Sequence, residues 1–223
     1  MNLFLKVPWA VKGLLMPVLG AAAIMACSGN ASSPAAQSTA ASLYESGVTF
    51  AEFLDAADRR EETWHGNFDG AEVSSDLMQR ARAAGGSWRM LVVAEDWCGD
   101  SANTIPYVAH LADLLENVDL RIVDSEVGRS VMETYPTPDG RAATPTVVLL
   151  NDEGHAVGCF VERPTDLQTW FLDQENQLEE DDLYDQKYQW YDDDAGATTL
   201  AEIVSMIEGA ASGNHVCSAL SEG

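Results

Sequence analysis

Positive charge is scarce in this sequence. Lys and Arg together number 12 among 223 residues, against 36 Asp and Glu, so the formal net charge is −24. Such a chain repels the phosphates of nucleic acids and the headgroups of anionic lipids. The composition therefore argues against nucleic acid and anionic lipid surfaces as partners, whereas its 46% hydrophobic residues suffice for a folded core.

Metal-binding patterns and internal repeats are also missing. The four histidines, at positions 65, 110, 155 and 215, do not cluster as ligands do. Acids are dense between residues 173 and 194, but they lack the fixed loop spacing of a calcium motif. We therefore predict no metal and no cofactor, and we interpret segment 173–194 as a solvated surface.

The apolar run near the N-terminus, residues 13–26, is shorter than the roughly 20 residues that a membrane-spanning helix needs. It follows Lys6 and Lys12, which is typical of a secretory signal. Its end, Ile-Met-Ala-Cys at 24–27, resembles the bacterial lipobox, which implies cleavage before Cys27 and lipidation of that cysteine. The alternatives are an ordinary signal cleaved near Ala26 and an uncleaved anchor.

This pattern predicts four segments. Residues 1–26 are a lipoprotein signal peptide, and residues 27–43 carry the lipid site and a flexible linker without charged or large apolar side chains up to residue 42. Residues 44–209 form the folded domain, and residues 210–223 form a flexible tail. We expect a cell-envelope protein anchored to the membrane through the lipid on Cys27. In a Gram-negative cell the periplasmic face of the outer membrane is favoured over the inner membrane.

Apolar periodicity in the folded segment predicts alternating helices and strands. Helices are predicted at 50–60, 76–84, 99–116, 127–135, after Pro164 and at 198–210, and strands at 88–95, 118–124, 146–152 and 156–162. Pro106 should kink the third of these helices. This order predicts an α/β fold in which a central mixed sheet is flanked by helices, with extra helices at both ends.

The stretch Glu-Asp-Trp-Cys-Gly-Asp-Ser at 95–101 places Cys98 between a strand and a helix. The unpaired N–H groups and the dipole of a helix N-terminus favour an anion, and the thiolate is the reactive form of cysteine. Glu95, Asp96 and Asp100 oppose a second negative charge there. We therefore expect a thiol of intermediate reactivity.

The motif Trp-Cys-Gly-Asp-Ser, the proline eight residues after Cys98, and Thr144-Pro145 before an apolar strand resemble the thioredoxin-like family. The resemblance covers roughly residues 88–161, and "EDWCGDS", "DGRAATP" and "ERP" are similar in particular to a bacterial branch of that family. It implies a thioredoxin-like fold with Cys98 as the nucleophile. It also implies a cis Thr144–Pro145 bond facing Cys98, and a substrate surface made of Trp97, Thr144 and Pro145.

The same resemblance points to supporting residues around the nucleophile, namely Gly99, Asp100, Ser101, Arg141 and Arg163. Ser101 is expected to cap the helix or to hydrogen-bond near Cys98. Arg141 and Arg163 are expected in loops beside the site, where each either steadies a thiolate or forms a surface salt bridge. Trp97 likewise either packs in the interior or forms a rim for the substrate.

Two departures from the family pattern affect the chemistry. Thioredoxins have a second cysteine at the position of Ser101 and a buried carboxylate at the position of Val92. A hydroxyl cannot break a mixed disulfide, so the pattern predicts a mechanism with one thiol. Cys98 attacks a disulfide, and an external thiol or a substrate thiol releases the product. Disulfide isomerisation, deglutathionylation and client capture all suit this chemistry.

Cys159 and Cys217 are left without an assigned role. Cys159 lies in an apolar strand, where a buried inert thiol is expected. Cys217 in the tail pairs with Cys159, pairs with Cys98 as a distant resolving thiol, or stays free, and spacing does not distinguish these.

Two functions fit these observations. The first is a membrane-tethered thiol–disulfide oxidoreductase or isomerase that acts on protein or small-molecule disulfides through Cys98. The second is a non-catalytic module that binds an extended peptide at Trp97 and Pro145. Retention of Cys98 at an activating position favours the first.

The lipid prediction can be tested directly. Cys27→Ala should leave an unprocessed precursor in the membrane fraction, because signal cleavage at a lipobox requires the lipidated cysteine. Immunoblotting of fractionated cells measures precursor size and location. A variant that is processed normally and released in soluble form would exclude the lipid anchor.

Overall fold

The computed structural model describes residues 34–217, and the side chains of residues 39–217. The predicted signal peptide, Cys27 and the last six residues of the tail lie outside the described residues. Between residues 34 and 217, no helix is both long and apolar enough to cross a bilayer.

The described chain alternates helices and strands as the sequence predicts, with additional elements. The helices are α1 Pro34–Ser46, α2 Phe50–Ala56, α3 Glu61–Asp69, α4 Ser75–Ala84, α5 Gly99–Asp113, α6 Arg129–Thr134, α7 Thr165–Gln174, α8 Glu180–Asp194 and α9 Ala197–Ala211. The strands are β1 Trp88–Val93, β2 Val118–Val123, β3 Thr146–Leu150, β4 Ala156–Val161 and β5 Val216–Cys217.

The five strands form one mixed sheet in the order β2-β1-β3-β4-β5. β1 runs parallel to β2 and antiparallel to β3, β3 runs antiparallel to β4, and β4 runs parallel to β5. Helix α5 is the crossover between β1 and β2, a connection that parallel neighbours require. The predicted α/β fold with a central mixed sheet is confirmed.

The central strands are buried on both faces, which explains their nearly continuous apolar sequences. Alternation along β1 sends Met90 and Val92 to one face, where they pack in a core that includes Leu200 of α9. Leu91 and Val93 face the opposite core, which includes Tyr44 of α1. The sheet is therefore fixed between two helical layers, and α5 starts at the C-terminal end of β1.

Helix α1 is an addition to the predicted layout. Its residues Ala40 and Tyr44 are buried against the sheet, and Ala41 and Leu43 pack beside them. This differs from the flexible linker expected up to residue 43, because small side chains at helical spacing let part of that segment lie close to the sheet. The packed domain thus begins before residue 44.

The acid-rich segment 173–194 also differs from the expected solvated surface. Most of it forms α8, in which Leu183, Lys187 and Tyr191 are buried. Their spacing of four residues places them on one face of the helix, while the acids occupy the exposed remainder. One face of the segment therefore belongs to the interior.

The last two described residues are attached to the sheet, in contrast to the flexible tail expected from residue 210. Val216 and Cys217 pair with Gly158 and Cys159 of β4. Cys159 and Cys217 form a disulfide with a Cα–Cα distance of 4.4 Å. Of the three options open for Cys217, the structure has the pairing with Cys159.

Loss of this disulfide should destabilise the fold. It closes a loop of 58 residues, and restricting the unfolded chain over such a loop is worth about 2–4 kcal/mol. Cys217→Ser should lower the free energy of unfolding in urea by that amount. Wild-type protein unfolded with dithiothreitol present should match the variant. Equal stability of variant and oxidised wild type would contradict the disulfide.

Candidate functional site

Cys98 is the N-cap residue of α5, directly after the loop that follows β1. Its sulfur accepts a hydrogen bond from the Ser101 N–H at 3.5 Å, and its thiol donates to the Thr144 carbonyl at 3.3 Å. The residue is 9% exposed. The N–H is placed to stabilise a thiolate, whereas the carbonyl binds the thiol form. The predicted location of Cys98 at a helix start is confirmed.

The loop before β3 closes over the sulfur. The Thr144–Pro145 bond is cis, as predicted. The Thr144 carbonyl contacts the Cys98 sulfur, and the Pro145 carbonyl accepts a hydrogen bond from Glu162 N–H at 2.7 Å. Thr144 and Pro145 therefore lie beside the cysteine, where the resemblance placed them.

Helix α3, which the sequence did not predict, holds the backbone around Cys98 through side-chain hydrogen bonds. Arg60, its N-cap residue, donates from Nε to the Trp97 carbonyl at 2.8 Å, and Trp64 Nε1 donates to the Asp96 carbonyl at 3.0 Å. Asn67 donates to the Ala102 carbonyl at 2.8 Å. The spacing 60, 64 and 67 brings the three donors to one helix face.

The Asn67 hydrogen bond compensates for Pro106. Proline has no N–H, so the Ala102 carbonyl four residues earlier loses its partner within α5. Because Asn67 supplies a donor, α5 continues from Gly99 to Asp113 as one helix with Pro106 inside it. A helix-spaced series of polar and aromatic residues after position 59 was the available signal for α3.

Asp100 is buried and fully partnered. Its carboxylate lies 3.2 Å from an Arg163 nitrogen and 3.1 Å from Lys187 Nζ, and it accepts a hydrogen bond from the Tyr191 hydroxyl at 3.0 Å. An isolated buried carboxylate would be strongly unfavourable, and two cations offset it here. This corrects the expectation that Asp100 opposes a thiolate, because its charge is compensated locally.

The protonation of two of these partners follows from their surroundings. Burial lowers the pKa of Arg163, but the charges of Asp100 and Glu162 raise it, and the net direction is upward. Burial and then the charge of Asp100 raise the pKa of Tyr191 well above its ordinary value. Arg163 therefore stays a cation, and Tyr191 stays a neutral donor.

Arg141 and Arg163 form ion pairs, the second of the two roles that the sequence left open. Both bind the buried carboxylate of Glu162, at 3.1 Å and 3.0 Å respectively, and Arg141 also pairs with Asp139. Arg163 is buried, so its pairs are not at the surface. Since the Glu162 N–H holds the Pro145 carbonyl, these pairs support the cis-proline loop.

Helix α8 covers the start of α5. A Cβ atom added to Gly99 would overlap the Tyr188 hydroxyl, so only glycine fits beneath that ring. Lys187 Nζ lies over the rings of Tyr184 and Tyr188, 4.7 Å and 4.5 Å from their centroids. The site therefore includes three residues that the sequence did not indicate, Lys187, Tyr188 and Tyr191. Their neighbours along the chain are mostly acids, which hid them.

Trp97 has an exposed ring, 57% of the residue's surface being accessible. Its indole N–H donates to Glu95 at 3.1 Å, and Glu95 accepts a second hydrogen bond from Ser125 N–H at 2.8 Å. Core packing therefore does not account for the tryptophan. Its role as a rim for the substrate stays a prediction.

Comparison with known proteins identifies the family to which this architecture belongs. A family model described as thioredoxin matches residues 47–181, more than half of the chain. The chain belongs to the thioredoxin family. Among curated proteins, none matches this sequence.

Two solved structures share this thioredoxin-like architecture. A protein of unknown function from Pseudomonas aeruginosa is 24% identical with a TM-score of 0.57, and the match covers 75% of this chain and 96% of that one. An HIV epitope-scaffold is 22% identical with a TM-score of 0.56, over 76% of this chain and 97% of that one. At these identities the similarity concerns the fold.

Compared with the thioredoxin pattern, this site has a hydroxyl where the second thiol would be. Ser101 is fully buried, and its Oγ has no hydrogen-bond partner in the structure. Val92, at the position of the family's carboxylate, is fully buried in the core. Among residues 34–217, no group of three or more His, Cys, Asp or Glu is placed to hold a metal ion.

The buried charge cluster yields a stability prediction. Lys187→Met should lower the free energy of unfolding by about 3–5 kcal/mol, because it leaves Asp100 and Glu162 sharing Arg163 as their buried cation. The double variant Asp100→Asn/Lys187→Met should lose less, and Asp185→Asn on the exposed face of α8 should change little. Urea denaturation measures all three. A Lys187→Met protein as stable as wild type would contradict the cluster.

Proposed function

We propose that this protein is a thiol–disulfide oxidoreductase of the isomerase type that works through Cys98 alone in the cell envelope, tethered by a lipid on Cys27. The observation that carries the proposal is the position of Cys98. It is the free cysteine of the described chain, and it lies at the start of α5 against the cis-proline loop. The position where a thioredoxin carries its resolving thiol holds Ser101.

The proposed reaction has two exchange steps. The Cys98 thiolate attacks one sulfur of a substrate disulfide, a bond forms between Cys98 and that sulfur, and the other sulfur leaves as a thiolate that takes up a proton. A second thiolate then attacks the mixed disulfide at the substrate sulfur. The substrate disulfide bond re-forms with this new partner, and Cys98 is released as a thiolate, so the protein undergoes no net oxidation.

The second thiol comes from outside the protein in this proposal. It is another cysteine of the same substrate in isomerisation, or a low-molecular-weight thiol in release. Cys217 is a poor candidate, because it is bonded to Cys159 at the edge of the sheet. Ser101 offers a hydroxyl, which does not attack sulfur near neutral pH.

The envelope location is supported by two independent features. The N-terminal sequence has the layout of an export signal that ends in a lipobox-like segment. The disulfide between Cys159 and Cys217 fits an oxidising compartment, since cytosolic proteins rarely keep such bonds.

A non-catalytic binding module is the second candidate, and the exposure pattern favours it. Trp97 exposes 57% of its surface, whereas Cys98 exposes 9%. A peptide held on the tryptophan and the cis-proline loop would need no reaction of the sulfur. The two candidates differ in whether a covalent bond to the partner forms.

Trapping of disulfide-bonded partners separates them. Wild-type protein should form long-lived mixed disulfides, and Cys98→Ser should form none. Ser101→Cys should shorten the life of the mixed disulfide by supplying a resolving thiol and should form an internal disulfide. The buried Ser101 Oγ has no partner to lose, so this variant should fold. Non-reducing gels and mass spectrometry of the adduct follow both effects.

The control for this experiment is the rate of Cys98 alkylation by iodoacetamide. If the wild type traps no partner and Cys98 alkylates no faster than an unfolded cysteine at every pH tested, the redox function is wrong. Peptide binding that survives Cys98→Ser unchanged would then support the binding module.

A further inference from the structure

A cleft of about 450 Å³ opens next to the Cys98 loop, at the C-terminal ends of β1 and β2. One wall comes from α2 and the segment before it, where Val48 pairs with Ile122 at the edge of β2. The other wall comes from the loop after β2, with Val127. Glu95 and Asp96, three and two residues before Cys98, line the end nearest the nucleophile.

The lining of this cleft is mostly apolar. Phe53, Ile122 and Val123 contribute its inner surface, and Val48 and Val127 at the mouth are 43% and 49% exposed. Its volume lies in the range of sites that bind small ligands or side chains. An apolar group would therefore be buried favourably in it.

Three carboxylates border the apolar surface, those of Glu95, Asp96 and Asp124. Their hydrogen bonds come from neutral donors, including the N–H groups of Ser125, Asp58 and Val127 respectively. In the part of the chain that the structure describes, none of the three pairs with Lys, Arg or His. Their negative charges are uncompensated, unlike the charge of Asp100.

We infer that this cleft is a subsite for a client segment that presents an apolar side chain next to a lysine or arginine, close in sequence to the cysteine under attack. The inference rests on the proposed exchange activity and specifies its substrate. An acidic segment would be repelled by the three carboxylates, and a neutral polar one would not use the apolar walls. Glu95 lies three residues before Cys98, so the Cα atoms of the two residues are at most about 10 Å apart, a distance that three extended client residues can span.

The test uses four peptides, each carrying its cysteine as a mixed disulfide with thionitrobenzoate. The two residues next to the cysteine are Leu-Lys, Leu-Glu, Gly-Lys or Gly-Glu. Cys98 attacks the peptide sulfur, a Cys98–peptide disulfide forms, and the coloured thionitrobenzoate leaves as a thiolate. The second-order rate of its release is measured for each peptide with full-length protein in which Cys27 is replaced by serine, so that Cys98 is the thiol left to react.

The Leu-Lys peptide should react fastest, and the Leu-Glu peptide should react about tenfold more slowly. Asp124→Asn keeps an acceptor for Val127 N–H and removes one charge, so it should reduce the Lys-over-Glu preference about two- to fivefold, as expected for one exposed charge pair. Val127→Ser should reduce the Leu-over-Gly preference. The matched control is Asp152→Asn, which lies in the β3–β4 turn at the opposite end of β1 and should change neither preference.

Each other outcome has a distinct meaning. Equal rates for the four peptides would overturn the subsite and leave the exchange activity intact. If the Lys-over-Glu preference falls equally in Asp152→Asn and Asp124→Asn, that preference comes from the overall negative charge of the protein, and the subsite is wrong. If none of the four peptides releases thionitrobenzoate while Cys98 is still alkylated by iodoacetamide, the exchange activity itself is wrong.

Discussion

Hydrogen bonds from α3 to the backbone around Cys98 are the interactions on which the rest of the site depends. Two carbonyl groups in the loop between β1 and α5, and one inside α5 opposite Pro106, are left without partners by the sheet and the helix, and such backbone groups are satisfied by other donors. Arg60, Trp64 and Asn67 provide them at Trp97, Asp96 and Ala102. Because this scaffold fixes the start of α5, the sulfur of Cys98 meets both the Ser101 N–H and the Thr144 carbonyl.

Charge is distributed in two different ways around this scaffold. In the interior, Asp100 and Glu162 are balanced by Arg163 and Lys187, two of the few basic residues in the chain. These groups join α5, α8 and the loop that holds the cis-proline. In the cleft next to the Cys98 loop, Glu95, Asp96 and Asp124 form no ion pair with a described residue. The cysteine thus lies between a neutralised interior and an acidic cleft.

Sequence patterns predicted the parts of the fold whose cause is local. The apolar runs of β1 and β3 reflect burial on both faces, and the cysteine after β1 marked the start of α5. The cis Thr144–Pro145 bond followed from family resemblance and position. These features depend on residues that are adjacent along the chain or that repeat at a regular spacing.

The remaining features depend on partners that are distant along the chain. Lys187 is 2% exposed because Asp100 lies opposite it, 87 positions earlier, and an acid-rich segment gives no sign of such a partner. The Asn67 bond exists because Pro106 leaves a carbonyl free. The pairing of Cys217 required the register between β4 and β5. In each case the feature depends on a tertiary contact with a distant residue, which composition and periodicity do not encode.

If Cys98 reacts without a resolving thiol inside the protein, its mixed disulfide should persist, and the stoichiometry of thiol release measures this. Full-length Cys27→Ser protein with its Cys159–Cys217 disulfide intact is mixed with excess dithiobis(nitrobenzoate), and released thionitrobenzoate and protein mass are measured together. We expect one thionitrobenzoate released by Cys98 and one stable adduct that peptide mapping places on Cys98. Release of two thionitrobenzoates at this site, with the adduct replaced by an internal disulfide, would show that a second thiol of the protein resolves Cys98.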